Sequence, residues 1–370
     1  MGETARVRAA AVVPSLNPTD RLTDTVEGLL RAGFSQIVLV DDGSQPGARP
    51  FFEAAASRPG VALLRHEVNR GKGAAMKTAF SWLLEHRPDC AGVVTVDGDG
   101  QHHPEDAVAC ARKMEEENRL VLGCRDFSQP DVPPRSRMGN RITRGVFRIF
   151  CGLTVSDTQT GLRAIPMEYL PRLAAVAGER YEYETNMLLA LKDLGIPWDE
   201  VKIRTIYLDE NQESHFRTVR DSWRIYKLIL ARFFRYTLSS LASAVVDAGL
   251  FALLSALLAG LLTGTALTAA AAIGARALSS LLNFTLNRRL VFRGGAPLGR
   301  ALGRYYALAL PLLLSQFLLT EGVFRAARIG DRQTLLRTVV YAGVMAVLFV
   351  TGYVVQRRWV FAGKRKERKD

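Results

Sequence analysis

Cysteine is scarce in this chain, and so is any arrangement of it that would suggest a metal or redox centre. The four cysteines, Cys90, Cys110, Cys124 and Cys151, all lie in the first half, and no two form a Cys-x-x-Cys pair. They read as reduced, partly buried thiols of a cytoplasmic domain, and a structural zinc site is not expected. A secretory signal is also missing: the apolar run from Ala9 to Val13 is too short and stops at Pro14, so it reads as a first strand. The most informative shortage is charge in the second half. From Tyr236 to Ala275 the only charged residue is Asp247, and residues 277–287, 305–320 and 338–356 contain no Asp, Glu, Lys or Arg. That pattern excludes an ordinary soluble protein throughout.

What is present is basic. The 370 residues carry a formal charge of +13, with a sequence pI near 9.9 and a slightly positive mean hydropathy of +0.05. Such a balance suits nucleic acid, an anionic membrane surface or phosphorylated ligands. Nucleic acid is set aside, because the arginines and lysines cluster beside the apolar stretches and not on one soluble face.

Four apolar stretches, near 236–260, 266–287, 305–324 and 338–356, are each long enough to cross a bilayer. They repeat. Arg235-Tyr236 recurs as Arg304-Tyr305, and NRRLVF (287–292) recurs as QRRWVF (356–361), both at an offset of 69 residues. A shared offset points to a duplicated helical hairpin. Basic residues precede the first stretch (Arg217 to Arg235), lie between the second and third (Arg288 to Arg304) and follow the fourth (Arg357 to Lys369). Those segments are expected on the cytoplasmic side, which puts the first half and both termini inside. Arg325, Arg328, Arg332 and Arg337 depart from this, falling in what would be the outer loop. Residues 216–234 read as an amphipathic helix on the inner leaflet that joins the two halves.

In the first half, short apolar runs alternate with helical spacing. Arg8–Val13, Gln36–Val40, Val61–Leu64, Gly92–Val96 and Leu120–Gly123 are expected strands; Leu22–Ala32, Ala74–Glu85 and Glu105–Glu116 are expected helices. This is the pattern of an α/β domain with a mostly parallel sheet, whose ligands bind beyond the carboxyl ends of the strands. Two acidic turns fall there, DDGS (41–44) and DGDG (97–100). Asp97 and Asp99 are one residue apart after an apolar run, so in extended chain they point to one side. Together with Gln101 they offer oxygen ligands to a hard divalent cation. No glutamate stands twelfth from either aspartate, which excludes an EF-hand loop. Adjacent His102 and His103 do not converge on one zinc ion. Pro104-Glu105-Asp106 reads as a helix start. Arg70-Gly-Lys-Gly lacks the spacing of a Walker A loop.

The order VVPSLN (12–17), VDDGS (40–44), NRGKGAA (69–75), VDGDGQHHPED (96–106) and GCR (123–125) resembles the inverting family 2 glycosyltransferases with the GT-A fold. RSRMGNRITR (135–144), SDTQTGLRAIP (156–166) and YEYETNMLL (181–189) resemble the dolichol- and polyprenyl-phosphate mannose and glucose synthase branch. The repeated apolar part, with NFTLNRRLVF and YVVQRRWVF, is similar to the GtrA-like membrane domain. The implied organisation is a GT-A domain over 1–215, a juxtamembrane segment over 216–234, a four-helix transmembrane domain over 235–362 and a basic tail over 363–370.

The resemblance implies roles for individual residues. Pro14, Asp41 and Asp42 would line the base and ribose pocket, with Gly71 and Lys72 flanking it. Asp97 and Gly98 would contact the nucleotide, and Asp99 and Gln101, with Asp97, would hold Mg2+ or Mn2+. Arg125 would meet phosphate and act in catalysis beside Asp97 and Asp99. Arg135, Arg137, Asn140 and Arg141 fall where the family binds the lipid phosphate, and guanidinium forks suit phosphate oxygens. The family's P-x-Y-N-E is here P-S-L-N-P-T-D, and Asp20 is taken to stand in for the missing glutamate. His215 stands where the family often has lysine, and Arg204 or Arg217 is taken to replace an unmatched arginine. Asp157, Glu182 and Glu184 read as a turn residue and first-turn helix residues in preference to catalytic bases.

The implied reaction takes a hexose from GDP-mannose or UDP-glucose to a polyprenyl or dolichyl phosphate at the bilayer, with inversion. UDP-GlcNAc and UDP-galactose also remain open as donors, and a homo-oligomer is compatible. Two other readings are weighed against it. A processive polysaccharide synthase would carry Q-x-x-R-W, whereas Gln356-Arg-Arg-Trp359 is one residue short and follows the last apolar stretch. A lipid-sugar flippase would use Asp247 and Arg276, the charges inside spans, but the first half argues against transport alone.

Overall fold

The computed structural model describes residues 6–129, 132, 134–204, 218–292, 296–329 and 333–362. His215, Arg217, Arg332 and the 363–370 tail lie outside them. The chain divides into two compact units, Met1–Leu228 and Ile229–Asp370.

The first unit is built on a seven-stranded sheet. Its strands are β1 (Ala10–Ser15), β2 (Ile37–Asp41), β3 (Val61–Arg65), β4 (Gly92–Thr95), β5 (Leu120–Arg125), β6 (Arg163–Pro166) and β7 (Trp198–Ile203), in the order β3-β2-β1-β4-β6-β5-β7. All pairs are parallel except those of β6, which runs antiparallel to β4 and β5. The five expected strands are present. β1, β2 and β4 are central and covered on both faces and therefore read as apolar runs, while β3 is a partly buried edge strand. Every residue of β1, β2 and β4 is buried. β6 and β7 lie outside that expectation. The four residues RAIP include an arginine and a proline, and β7, at the edge of the sheet, carries three charges.

Helices α1 (Arg21–Arg31), α2 (Arg49–Ala56), α3 (Lys72–His86), α4 (Pro104–Glu117), α5 (Pro134–Val146), α6 (Leu170–Ala174) and α7 (Glu182–Asp193) accompany the sheet. α1 buries Leu22, Val26 and Leu29 along one stripe. α4 begins at Pro104, capped by the His103 side chain, and ends on Asn118 in the left-handed conformation. Because β1 has β2 on one side and β4 on the other, the chain reverses direction across the sheet at that point, and the carboxyl ends of β1 and β4 open into a crevice.

The long apolar helices are α8 (Thr218–Leu258), which belongs to the second unit from Ile229 onward, and α9 (Gly264–Leu286), α10 (Leu298–Ala326) and α11 (Thr334–Val355), which lie wholly in it. Among the described residues, four segments are long and apolar enough to cross a membrane: Phe233–Leu258, Gly264–Val291, Leu298–Ala326 and Leu335–Val360. Of the segment read as an amphipathic joining helix, residues 216–217 lie outside the described residues, and 218–234 fall within α8. No glycine or proline occurs between Thr218 and Ala248 to interrupt it. Arg337, expected in the outer loop, lies in the first turn of α11, and its guanidinium sits 4.2 Å over the ring of Phe324 in α10.

The repeat is structural as well as sequential. α9 and α11 each finish in a widened turn, closed by Phe292 N–H to Asn287 O (2.8 Å) and Phe361 N–H to Gln356 O (2.9 Å). The two copies meet at equivalent residues. Asn287 donates to the Gln356 amide oxygen at 3.1 Å, and both are buried. Phe292 and Phe361 stack at 5.2 Å. Gln356 also donates to the Tyr236 hydroxyl at 3.3 Å. Gln356 is thus used inside the helical unit, as a polar pin between the hairpins.

Candidate active site

Beyond β4 the chain folds back sharply. Asp97 N–H donates to His102 Nδ1 at 3.2 Å, and Gln101 N–H donates to Asp99 Oδ1 at 3.0 Å. The turn stands against the end of β1, where a Cβ on Gly98 would meet the Ser15 hydroxyl and Leu22, so that those side chains would have to move.

Lys72, the first residue of α3, reaches into this turn. Its Nζ lies 2.6 Å from Asp97 Oδ1 and 3.0 Å from Glu184 Oε1. Burial disfavours the charge on Asp97, but Lys72 and then His102 outweigh it, with a smaller contribution from Arg125, and the carboxyl is held down to about 2. Burial also opposes the lysine charge, yet Asp97 and Glu184 keep Lys72 protonated well above the ordinary lysine range. Asp99 moves the other way: burial and the neighbouring Asp97 raise it.

These residues fit a hard divalent cation. Two carboxylates crowd one turn, and Asp97 disfavours the ionisation of Asp99, a conflict that a bound cation would relieve. Among the described residues no group of three His, Cys, Asp or Glu converges. Mg2+ or Mn2+ bound through one or two carboxylates and the phosphates of a substrate needs no such cage. Gln101, exposed beside Asp99, adds an oxygen donor at the mouth.

A residue that the sequence did not single out supports the pair from behind. A Cβ on Gly161 would stand 2.6 Å from Asp97 Oδ2 and 3.3 Å from Lys72 Nζ. The Gly161 carbonyl accepts from Thr95 Oγ1 at 2.7 Å, which ties the loop to β4. The stretch SDTQTGLRAIP carries two kinds of information, and only distance separates its close-approach glycine from its other residues. Arg163, also unforeseen, is buried and donates to the carbonyls of Thr160 (3.2 Å) and Glu184 (2.7 Å). It anchors the loop and α7, and so the Glu184 that meets Lys72.

The remaining expected residues fall into distinct positions. Pro14 is buried in β1, paired with Val40. Asp41 is buried and accepts from Ser44 N–H at 2.9 Å, capping the DDGS turn. Asp42 is buried too. Its Oδ1 accepts from Arg70 N–H at 2.9 Å and meets His66 Nδ1 at 2.7 Å, and its Oδ2 accepts from Gly71 N–H at 2.7 Å. Asp42 therefore shapes the loop that launches α3, with Gly71 at φ +102° and pressed against Glu179 and Arg180. Asp20 is exposed at the start of α1 and accepts from Arg21 N–H at 3.0 Å.

On the other side of the crevice, Arg125 forks onto Asp157, Nε to Oδ2 at 2.7 Å and Nη2 to Oδ1 at 3.3 Å. Asp157 is fully buried and also accepts from Gln159 N–H at 3.0 Å. Removing one member of such a pair strands the other's charge. Asp157→Ala is therefore expected to lower stability by about 3 kcal/mol, read as a fall in melting temperature of the purified protein. On α5, Arg137 donates to the Gln129 carbonyl at 2.9 Å, and Asn140 donates to the Ser156 carbonyl at 2.9 Å. Both hold the surrounding loops. Arg135 lies on the same helix. Arg141 is exposed, and so are Met138, one turn before it, at 62% and the adjacent Ile142 at 52%. Arg204 is engaged by α4, its N–H on Asp106 Oδ2 at 2.9 Å and its Nη2 on Glu105 Oε2 at 2.5 Å.

Comparison with known proteins bears on both units. The model of glycosyl transferase family 2 matches residues 10–172. The model of the GtrA/DPMS transmembrane domain matches residues 235–361. An uncharacterised protein of Methanocaldococcus jannaschii is 29% identical over 228 residues, 60% of this chain and 91% of that protein. The UDP-N-acetylglucosamine–dolichyl-phosphate N-acetylglucosaminyltransferase of Methanococcus voltae is 26% identical over 216 residues, 54% of this chain and 85% of that one. Among solved structures, mannosyl-3-phosphoglycerate synthase from Rubrobacter xylanophilus is 19% identical, with a TM-score of 0.48, over 61% of this chain and 74% of that one.

Proposed function

Since the chain is a family 2 glycosyltransferase, with a GT-A domain joined to a GtrA/DPMS transmembrane domain, we propose that it transfers a hexose from a nucleotide sugar to a prenyl monophosphate. The donor is GDP-mannose or UDP-glucose, the acceptor a polyprenyl or dolichyl phosphate, and the reaction runs with inversion on the cytoplasmic face. The observation that carries this reading is the Asp97–Asp99 pair at the switch point of the sheet, in one chain with four membrane-length helices. The dolichyl-phosphate acceptor named for the Methanococcus voltae relative supports the choice of acceptor class.

A divalent cation held by Asp97 and Asp99 would offset the charge gathering on the departing nucleoside diphosphate. The chain's own residues prepare the site. Lys72 keeps Asp97 ionised and fixes its direction, and Glu184 holds Lys72 in place. A lipid monophosphate is already an anionic nucleophile, so alignment for in-line attack is the main requirement, and no strong base is needed. That agrees with Asp157 being spent on Arg125 and Glu184 on Lys72.

The exposed face of α5 suits the acceptor, with Arg141 for phosphate and Met138 and Ile142 for the first isoprene units. Ile142→Glu is expected to raise the KM for the lipid about tenfold, the worth of one buried aliphatic side chain, and to leave nucleotide affinity unchanged. Equal losses for donor and acceptor would count against this placement. The reaction itself is tested by radiolabel transfer from GDP- and UDP-sugars, UDP-GlcNAc included, to undecaprenyl and dolichyl phosphate with Mg2+, Mn2+ or EDTA. Metal-dependent lipid product names the donor. No lipid product from any donor, with folded protein, overturns the proposal.

A further inference from the structure

Inside the transmembrane unit, a groove of about 500 Å³ runs beside α8 and α9, lined by Arg235, Leu238, Ser239, Ala242, Leu286, Arg289 and Leu290. Both guanidiniums are exposed, and neither has a hydrogen-bond or ion-pair partner among the described residues. Below them the lining is apolar except for Ser239, whose hydroxyl is already given to Asn287. Arg235 stands near the start of the Phe233–Leu258 span, and Arg289 near the end of the Gly264–Val291 span. Both charges therefore sit at the same edge of the apolar zone. Two unspent cations at the mouth of an aliphatic slot complement a ligand with an anionic head and a hydrocarbon tail.

The duplicated hairpin shows that this groove does not simply follow from the fold. At the offset of 69 residues, Arg304 corresponds to Arg235 and Trp359 to Leu290. In that second copy the arginine is used: Arg304 Nη1 donates to the Trp359 carbonyl at 2.8 Å, and its guanidinium lies 5.6 Å over the Trp359 ring. Leu290 in the first copy offers no such ring and is 59% exposed. One hairpin closes the arginine against tryptophan, and the other leaves it available.

We propose that the Arg235–Arg289 groove is a docking site for the prenyl monophosphate. The phosphate sits between the two guanidiniums, and the chain lies along Leu238, Ala242, Leu286 and Leu290. This is a holding site in the membrane unit, distinct from the acceptor position on α5 where transfer takes place. The proposal deepens the acceptor reading above and rests on it for the choice of a prenyl chain over a phospholipid.

The test uses the full chain in nanodiscs of neutral lipid, with a diazirine-bearing prenyl monophosphate and no sugar donor. Photolabel is expected on peptides within 235–290, removed by unlabelled prenyl monophosphate but not by equal phosphatidylglycerol, prenyl alcohol or inorganic phosphate. Leu290→Trp copies the residue that the second hairpin already accommodates, so the fold tolerates it. It should cut labelling about tenfold and raise the lipid KM by a similar factor, with nucleotide binding unchanged. The double variant R235Q/R289Q should erase the preference for phosphate over alcohol. Undiminished labelling of folded Leu290→Trp, or equal competition by phosphatidylglycerol, would overturn the site. Labelled protein that transfers no sugar to prenyl phosphate would sink the transfer reading and leave the site. Active protein with no label in the groove would sink the site alone.

Discussion

Asp99→Ala is expected to lower sugar transfer by about a hundredfold or more, the usual loss when a group stabilising the leaving charge is removed, while the protein stays folded and membrane-bound. The reasoning is local. Asp99 takes one internal bond, from Gln101 N–H two residues away, and lies in a turn outside the sheet. Little of the fold depends on it. Its carboxyl is pushed up by burial and by Asp97, so deleting it relieves a repulsion, and stability should hold or rise slightly. A second readout separates ligand loss from damage: Mn2+ should raise the melting temperature of the native protein and fail to do so for the variant. Full transfer activity in Asp99→Ala would defeat the cation-clamp reading.

Gly161→Ala should be nearly as damaging although Gly161 touches no substrate in this proposal. The added methyl would lie 2.6 Å from Asp97 Oδ2, closer than any contact allows, and 3.3 Å from Lys72 Nζ. The loop cannot easily retreat, because the Gly161 carbonyl is tied to Thr95 and the neighbouring Thr160 carbonyl to Arg163. The carboxylate must move instead. A displacement of about 1 Å at a reacting centre costs on the order of a hundredfold in turnover. The expected signature is a fall in kcat and weaker Mn2+ protection, with a small change in melting temperature. A variant with native kcat would mean that Asp97 is not held to one position by this loop.

Much of this molecule could be read from its residues because two physical signals were strong. Strands covered on both faces must be apolar throughout, so β1, β2 and β4 stood out, and β3 and β5 were legible from their shorter aliphatic runs. A bilayer forbids charge over about twenty residues, so the four spans stood out as well. The acidic turn stood out for a related reason, since Asp97 and Asp99 directly follow a buried strand, and the cation they would hold belongs to the proposal. The 69-residue repeat was legible from Arg235-Tyr236 and the NRRLVF stretch.

What the tertiary structure decided is which partner each charge takes. Sequence marks Asp42, Arg125, Arg137 and Asn140 as polar groups near phosphate-binding motifs, but whether each is spent internally depends on atoms far away in the chain. Asp42 closes on Gly71, 29 residues on, and Arg125 on Asp157, 32 residues on. β6 and β7 were hidden because their pairing supplies the stability that their composition does not advertise. The difference between Arg235 and Arg304 belongs to the same class. Both are arginines at the head of a repeated hairpin, and only the packing of Trp359, against the open position of Leu290, leaves one used and the other available. Sequence determines which groups are costly to bury, and the fold alone determines where that cost is met by a neighbour and where it is left for a ligand.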